Sequence, residues 1–591
     1  MAQSSSIPLE RANLDGPWDA IVIGSGMGGL TAAALLSVHG GKRVLVLERH
    51  YTAGGFTHEF SRPGFSWDVG VHYIGQVLDP ASQVRRAYDH LSNGNLHWTP
   101  MPAVYDRIRI AGETYEFVAG MDRFRDSLKA RFPHEARVID RYLAAVLATN
   151  RASQLYYAEK SIPAPVAALL GGLMRRGYLR WAGQTTQQVL DGLGASPELA
   201  GVLTAQWGDY GLPPGESSFA IHATIAAHYF DGAAYPVGGA SSIAASILPQ
   251  IERSGGMVVT SAEVACILLR GGRACGVELA GGQVVEAPLV VGDAGAGNTV
   301  FSLLPAEMPE LAKLRAGLRK LGSSKAHLNL FAGFNGTSQE LGLTGTNHWL
   351  HPGYDHDANL RRFEADSQAP LPLAFISFPS AKDPEFELRH PGHATAEIVV
   401  PIPYRSFAAW SATHWMKRGP DYDSMKQHWT ERLTEVLTSE FPQLAGRVAH
   451  AEVSTPLSTR HFMNNELGEI YGVSATPARY RMRELGARTP IPGLLLTGQD
   501  AAGLGVTGAL YGGVIAASLA EEESVRGGPQ AAGWINPHRT LAAESAAIDP
   551  ALKYVASISQ VPESGPGAPE TILSDRRKKP LPRITRAGAL D

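Results

Sequence analysis

Between Asp19 and Glu48 the chain reads DAIVIG, then Gly24-x-Gly26-x-x-Gly29, then an alanine-rich stretch from Leu30 to Val38, then RVLVLE. An apolar, β-branched run ending in glycine predicts a strand, the alanine-rich stretch a helix, and Arg43 to Glu48 a second strand, so a β-α-β unit closes within about thirty residues. A glycine triplet alone is weak in a chain with 64 glycines. This one follows a strand, opens a helix and is answered by an acidic residue closing the next strand, which separates a dinucleotide-binding unit from a structural turn. Gly24 permits the tight turn, Gly26 lets backbone amides approach a pyrophosphate, and Gly29 lets the helix pack closely on the strand; the helix N-terminus favours negative charge. Glu48 is placed to accept hydrogen bonds from both ribose hydroxyls of an adenosine and would repel a 2′-phosphate. This favours FAD or NAD over NADP.

Six residues after Glu48 comes Gly54-Gly55, followed by FSWDVGVHYIG from Phe65 to Gly75. A nicotinamide enzyme has no need of this extension, whereas a glycine pair after the second strand brings backbone close to the flavin side of a cofactor. The weight moves to FAD. No second GxGxxG follows a strand and opens a helix, so no separate NAD(P)H domain is expected, and reducing equivalents are expected from an external donor or acceptor.

The rest of the chain limits the alternatives. At 591 residues two interlocked domains are expected rather than one core. With 52 basic and 56 acidic residues and no long basic run, nucleic acid is not an expected partner. Cys266 and Cys275 cannot make a disulfide framework or a four-thiolate metal site and are expected in the core. The N-terminus lacks the apolar segment of a secretory signal, so a cytoplasmic location is expected. Ala501 to Ala520 carries no charge, but its five glycines suit a buried loop and helix better than a membrane span. His348, His351 and His356 lie close together, yet Pro352-Gly353 breaks their alignment and no metal is expected.

Elements can also be placed in the middle of the chain. Ile243 to Ser254 predicts a helix; Met257 to Thr260, Val264 to Arg270 and Ala274 to Leu279 predict strands, the last two joined at Gly271-Gly272. From Met425 to Val448, Trp429, Leu433, Val436, Leu437 and Phe441 recur at helical spacing. In residues 162–183 an apolar stretch leads into Arg175, Arg176, Arg180 and Trp181, which reads either as a solvated lid or as a peripheral membrane contact.

ERHYTAGGFTHEF, FSWDVGVHYIG, YPVGGASSIAASILPQIERSGG, STPLSTRHF, IYGV and TPIPGLLLTGQDAAGLGVTGALYGG, in this order, resemble the signature segments of the phytoene desaturase superfamily, specifically its retinol saturase and carotenoid isomerase branch. The likeness spans roughly residues 18 to 522. It implies that Gly24, Gly26, Gly29 and Glu48 hold the ADP part of FAD and that Gly54 and Gly55 lie near the pyrophosphate and flavin. It further implies that Val264 meets the adenine through backbone groups, that Asp500 binds near the ribityl or pyrophosphate, and that Gly505, Val506 and Thr507 face the isoalloxazine. Asp500 has a plainer reading as a helix cap. Several related branches carry arginines beside the glycine pair, where this chain has Thr52 and Phe56. Arg49 is then the nearest candidate to neutralise the pyrophosphate.

The expectation is an α/β fold: a discontinuous, Rossmann-like FAD-binding domain of the glutathione-reductase type (17–125, 234–302 and 486–525) with a mixed α+β substrate domain (126–233 and 303–485). A flexible stretch is expected at 1–16 and a partly disordered tail at 526–591. The implied reaction is redox chemistry or isomerisation at a carbon-carbon double bond of a long apolar polyene, with saturation ahead of desaturation and isomerisation. His72 and Tyr73 are the candidate proton donors. An amine-oxidase-like enzyme and a non-enzymatic flavin or lipid carrier are the rivals from other classes.

Overall fold

The structure is a computed structural model and describes residues 6–526. Its organising element is a six-stranded sheet in the order Ile7–Pro8, Met257–Thr260, Val44–Leu47, Ala20–Ile23, Val290–Gly292, Leu494–Leu496. Every neighbouring pair is parallel. All residues of Ala20–Ile23 and Val44–Leu47 are buried, because a parallel sheet covered on both faces needs continuous apolar runs rather than alternation. The helix Met27–Val38 buries all its residues but the last. It packs against both Ser241–Glu252 and Gly505–Arg526, which is why its small residues surround it rather than form one stripe. The sheet therefore draws strands from three distant parts of the chain.

Two expected boundaries are corrected here. Ile7–Pro8 is no loose terminus: it pairs with Val259 and Thr260 as the sheet's edge strand, a position where proline's missing N–H is tolerated. Residues 104–118, expected in the cofactor domain, instead belong to a second sheet. That sheet runs Val448–Ser454, Ala326–Asn335, His393–Ile402, Ala374–Ser377, Asn347–His351, Val104–Ile110, Glu113–Val118. It is antiparallel except where Asn347–His351 meets Val104–Ile110. Pairing across more than two hundred residues leaves no local mark in the sequence.

Helices cover the second sheet and wall the space between the layers. Ala136–Ser161 and Ala164–Ala182 form a long helical pair, and Phe219–Tyr229 packs on the first of them. Helix Pro420–Glu440 buries Trp429, Leu433 and Leu437; Val436 is only half-buried. The small sheet Val264–Arg270, Arg273–Leu279, Val284–Glu286 turns at Gly271 and Gly272, with φ +59° and +76°, values a tight hairpin asks of both central residues. Cys266 and Cys275 sit on this sheet half-exposed rather than in the core, because only one of its faces is covered. Most of the uncharged stretch Ala501 to Ala520 lies within the helix Gly505–Arg526, in which Leu510, Val514, Ile515 and Leu519 are buried. Among the described residues no helix is long and apolar enough to cross a membrane. The tail expected beyond Arg526 lies outside the described residues.

Candidate active site

The glycine loop is held by contacts that leave no room for side chains. Gly24 has φ +103° and donates its N–H to Leu47 O at 2.9 Å, linking the first strand's end to the second. A Cβ on Gly28 would stand 2.4 Å from Gly498 N, and one on Gly29 would stand 2.3 Å from Gly24 O. At Gly26 the obstacle is a side chain: a Cβ there would lie 2.6 Å from Asp293 Oδ2. Asp293, which sequence reasoning passed over, follows the strand Val290–Gly292 and accepts from the loop amides of Gly26 and Gly29; burial raises its carboxyl to about 8, against the pull of those hydrogen bonds. Its signal was present in the sequence as the acidic residue closing a third apolar strand.

Glu48 lines the same cavity and accepts from Ser25 N at 2.9 Å, Ser25 Oγ at 2.7 Å and His50 N at 2.7 Å. These bonds fix the carboxylate at the loop's mouth, and a carboxylate has capacity for further donors. Gly54 and Gly55 have φ +122° and +55°, backbone that side-chain-bearing residues rarely adopt. Gly54 N donates to Ser25 O at 3.1 Å, and a Cβ on Gly55 would reach 3.0 Å from Gly26 Cα. The glycine pair thus packs directly on the glycine triplet.

The other expected cofactor residues also reach the cavity. Val264, Gly505, Val506 and Thr507 line it, with Gly505 to Thr507 forming the first turn of the Gly505–Arg526 helix. Arg49 lines it too, but its Nη1 donates to His461 O at 2.8 Å and its Nε lies 3.7 Å from Glu263 Oε1. Asp500 lines the cavity too, and it accepts from the first N–H of the helical run that opens at Ala296. Its two carboxylate oxygens accept from Ala296 N and Val473 N, each at 2.9 Å, so it ties three segments together at the cavity wall.

The cavity continues past the glycine loops into the space between the two sheets, for a total of about 1100 Å³. This far part is lined by Tyr157, Ile221, Ile225, Tyr229, Tyr471 and Leu504, with Asp209 among them. His72 and Tyr73 stand between the two parts. His72 Nδ1 lies 3.2 Å from Glu397 Oε2, but the angles do not make a hydrogen bond and both atoms lack partners. Burial, and then the nearby Lys382, lower His72 to about 3. Tyr73 stacks on Tyr229 with centroids 4.3 Å apart, and its hydroxyl meets Asp209 Oδ2 at 2.9 Å and Asp106 Oδ2 at 3.1 Å.

Behind this pair lies a buried ammonium. Lys382 Nζ donates to His72 O at 2.9 Å, Asn347 Oδ1 at 2.5 Å and Ser377 Oγ at 2.7 Å. Burial lowers it to about 8 against the attraction of Asp68, Asp106, Glu397 and Asp209. Asp68 and Glu397 are both pushed well above the usual carboxylate range, chiefly by burial. Asp68, His72 and Glu397 bring one potential ligand atom each within 4.8 Å of one another; Lys382 supplies the positive charge beside them. Of the three histidines near residue 350, His351 and His356 come together with ring centroids 4.5 Å apart, and their Nε2 atoms contact Ala205 O and Gly201 O.

A nucleotide-type parallel sheet joined through one cavity to an apolar chamber defines a two-layer oxidoreductase, in which a dinucleotide cofactor and a second molecule share a continuous space. Residues 22–91 match the NAD(P)-binding Rossmann-like domain. The chain is 36% identical over 534 residues to all-trans-retinol 13,14-reductase of Rattus norvegicus, covering 87% of each. It is 28% identical over 532 residues to prolycopene isomerase 2, chloroplastic, of an Oncidium hybrid cultivar, covering 85% of this chain and 83% of that one. Its fold resembles cyclohexylamine oxidase from Brevibacterium oxydans at TM-score 0.55 and 18% identity, over 86% of this chain and 99% of that one. The chain belongs to the phytoene desaturase-like superfamily, in its retinol saturase branch.

Proposed function

We propose that this chain is an FAD-dependent saturase that adds two hydrogens across a carbon-carbon double bond of a long apolar polyene, a retinoid or carotenoid being the favoured class. The observation that carries the reading is the single cavity running from the glycine loops to the aromatic chamber. Its volume exceeds the roughly 300–1,000 Å³ usual for one small ligand. The residues fit FAD: the helix N-terminus at Met27 and Gly28 opens on the cavity, where a pyrophosphate would lie, Glu48 waits for ribose hydroxyls, and the Gly505–Arg526 helix begins at the cavity. When bound, FAD would supply two-electron hydride chemistry.

The chain's own residues align the substrate and exclude water. Tyr229, Tyr471, Ile221, Ile225 and Leu504 offer an apolar wall against which a polyene desolvates. Tyr73 is locked by stacking and by two carboxyl contacts, so it marks a fixed point at the junction of the two parts.

The reading includes an external electron partner and a lipid surface as the source of substrate. Helix Ala164–Ala182 exposes Leu169 at 83% and Leu173 at 76%, beside Arg176 and Arg180. Leucines backed by cations suit the interface of an anionic bilayer. The helix it pairs with contributes Ser153, Gln154 and Tyr157 to the cavity, so such a surface would lie near a substrate entrance.

The test is to purify the protein, record its flavin spectrum, reduce it anaerobically, and add all-trans-retinol or a cis-carotenoid. Reoxidation of the flavin with loss of one double bond supports saturation. Geometric change without reoxidation points to an isomerase, and a protein that cannot be loaded with FAD overturns the reading.

A further inference from the structure

Tyr73 has one hydroxyl hydrogen and two carboxyl oxygens within reach, Asp209 Oδ2 at 2.9 Å and Asp106 Oδ2 at 3.1 Å. One hydrogen serves one acceptor, so the second short contact needs a proton on a carboxyl. Asp106 is the ionised member: Gln206 Nε2 donates to its Oδ2 at 2.7 Å and Asn347 Nδ2 to its Oδ1 at 2.9 Å. Asn347 is polarised in turn by the ammonium of Lys382, 2.5 Å from its Oδ1. Asp106 is wholly buried and does not line the cavity. Asp209 does line it, and among the described residues its carboxyl has Tyr73 as its one hydrogen-bond partner. Tyr73 therefore donates to Asp106, and the extra proton sits on Asp209, held in its hydrogen bond to the Tyr73 oxygen, on a carboxyl that lines the chamber.

We propose that Asp209 is the proton donor of the saturation, with Tyr73 positioning its carboxyl and Asp106 holding Tyr73. This rests on the saturase reading above. Reducing the double bond breaks its π bond and forms two C–H bonds. The hydride to one carbon is accounted for by a two-electron-reduced flavin, and the proton to the other comes from the Asp209 carboxyl, whose O–H bond breaks to leave a carboxylate. That carboxylate is met at once by the Tyr73 hydroxyl, which turns from Asp106 towards Asp209, and solvent restores the proton after product leaves.

The rivals fit less well. His72 is held near 3 by burial and Lys382, so at neutral pH it carries no spare proton. Burial pushes the Tyr73 hydroxyl well above its ordinary value, too weak an acid to act alone. Glu469 also lines the cavity, but it accepts from Leu467 N within its own loop and lies beside Asp500 rather than in the aromatic part. Asp209, by contrast, is raised to about 8 by burial and by Asp106, against Tyr73 and Lys382. It is protonated at neutral pH and acidic enough to give the proton up.

The test uses the FAD-loaded, full-length protein in two measurements. First, the infrared difference spectrum of wild type minus Asp209→Asn at pH 7 is expected to show a protonated carboxylic acid band in wild type; its absence overturns the proposal. Second, single-turnover reduction of all-trans-retinol by reduced enzyme is followed in D₂O. Wild type is expected to place solvent deuterium on both carbons, because the hydrogen carried by the reduced flavin also exchanges with solvent, Asp209→Asn to slow flavin reoxidation about 10²- to 10⁴-fold with an unchanged flavin spectrum, and Asp209→Glu to recover part of the rate. Wild-type-like turnover by Asp209→Asn overturns the proposal. If wild type itself reduces no polyene, the saturase reading falls and the donor role with it, while the infrared band still decides whether the proton resides on Asp209.

Discussion

The carboxylate of Asp293 occupies the space that a side chain at Gly26 would need, with Oδ2 only 2.6 Å from where the Cβ would stand. The glycine loop is therefore shaped as much by a protein carboxyl beneath it as by a cofactor above it. At Gly28 the obstacle is backbone, Gly498 N at 2.4 Å, which cannot swing aside. Gly28→Ala is expected to lose FAD and to lower the thermal midpoint by several degrees, since a clash of this kind costs about 1–3 kcal/mol. Gly26→Ala is expected to be milder, because a carboxylate can shift. Flavin content and melting curves of the two variants, measured side by side, check the order; equal effects would show that packing on Asp293 and Gly498 does not distinguish them.

Asp500 gives a prediction of the same kind for a residue expected from family resemblance to act on the cofactor. Both its oxygens are used on the backbone amides of Ala296 and Val473. Asp500→Asn turns one acceptor into a donor facing an N–H, an arrangement that costs about 1–3 kcal/mol when buried. The expected result is a loss of stability in the apoprotein as well as weaker FAD binding. A variant with unchanged urea unfolding and weakened FAD binding would assign Asp500 to the cofactor alone.

Glu48 is the reverse case. Its partners Ser25 and His50 are local, and its open lone pairs face the cavity. Glu48→Ala is expected to weaken FAD binding roughly 10- to 100-fold, on the basis of about 1.5–3 kcal/mol for hydrogen bonds to a charged group. Titration of the apoprotein with FAD, followed by fluorescence quenching, measures it directly.

Apoprotein stability should fall as pH rises from 6.5 to 8. Asp209 and Asp293 are each raised to about 8 in the folded chain, far above their unfolded values. Their contribution is complete below about pH 4 and is lost progressively as pH rises through the folded value. The buried His222 and His228, lowered to about 3 and about 4, act oppositely: their contribution is complete above about 6.5 and is lost as pH falls towards 4. Lys382, lowered to about 8, changes stability only above that pH. Between 6.5 and 8 the raised carboxyls dominate, with Glu469 at about 7 and the strongly raised Asp68 and Glu397 acting in the same direction as Asp209 and Asp293, at up to about 1.4 kcal/mol per pH unit each. Urea midpoints across this window test the sign, and Asp209→Asn should flatten the slope.

The exposed leucines of Ala164–Ala182 predict a separable effect. Leu169→Asp combined with Leu173→Asp should abolish sedimentation with anionic phosphatidylserine vesicles while leaving the melting temperature and flavin content unchanged. Vesicle binding that survives the double substitution would remove this helix as the contact.

By itself the sequence determined the first βαβ unit, because a glycine turn, a helix N-terminus and a closing acidic residue within thirty positions are a local physical requirement. It also determined the hairpin at Gly271-Gly272 and the body of an amphipathic helix, where turn chemistry and helical period are written in neighbouring residues, although the pattern read to Val448 overruns the helix's end at Glu440. Family resemblance supplied Val264, Gly505 and Thr507, which no local pattern would have singled out. Tertiary structure alone decided that residues 104–118 join the second sheet, since their pairing with Asn347–His351 spans more than two hundred residues. It alone brought Asp209 and Asp106 to either side of Tyr73, and Lys382 behind them. Burial and proximity across distant segments, rather than residue type, decide which of those carboxyls keeps a proton, and neither can be read from a stretch of sequence.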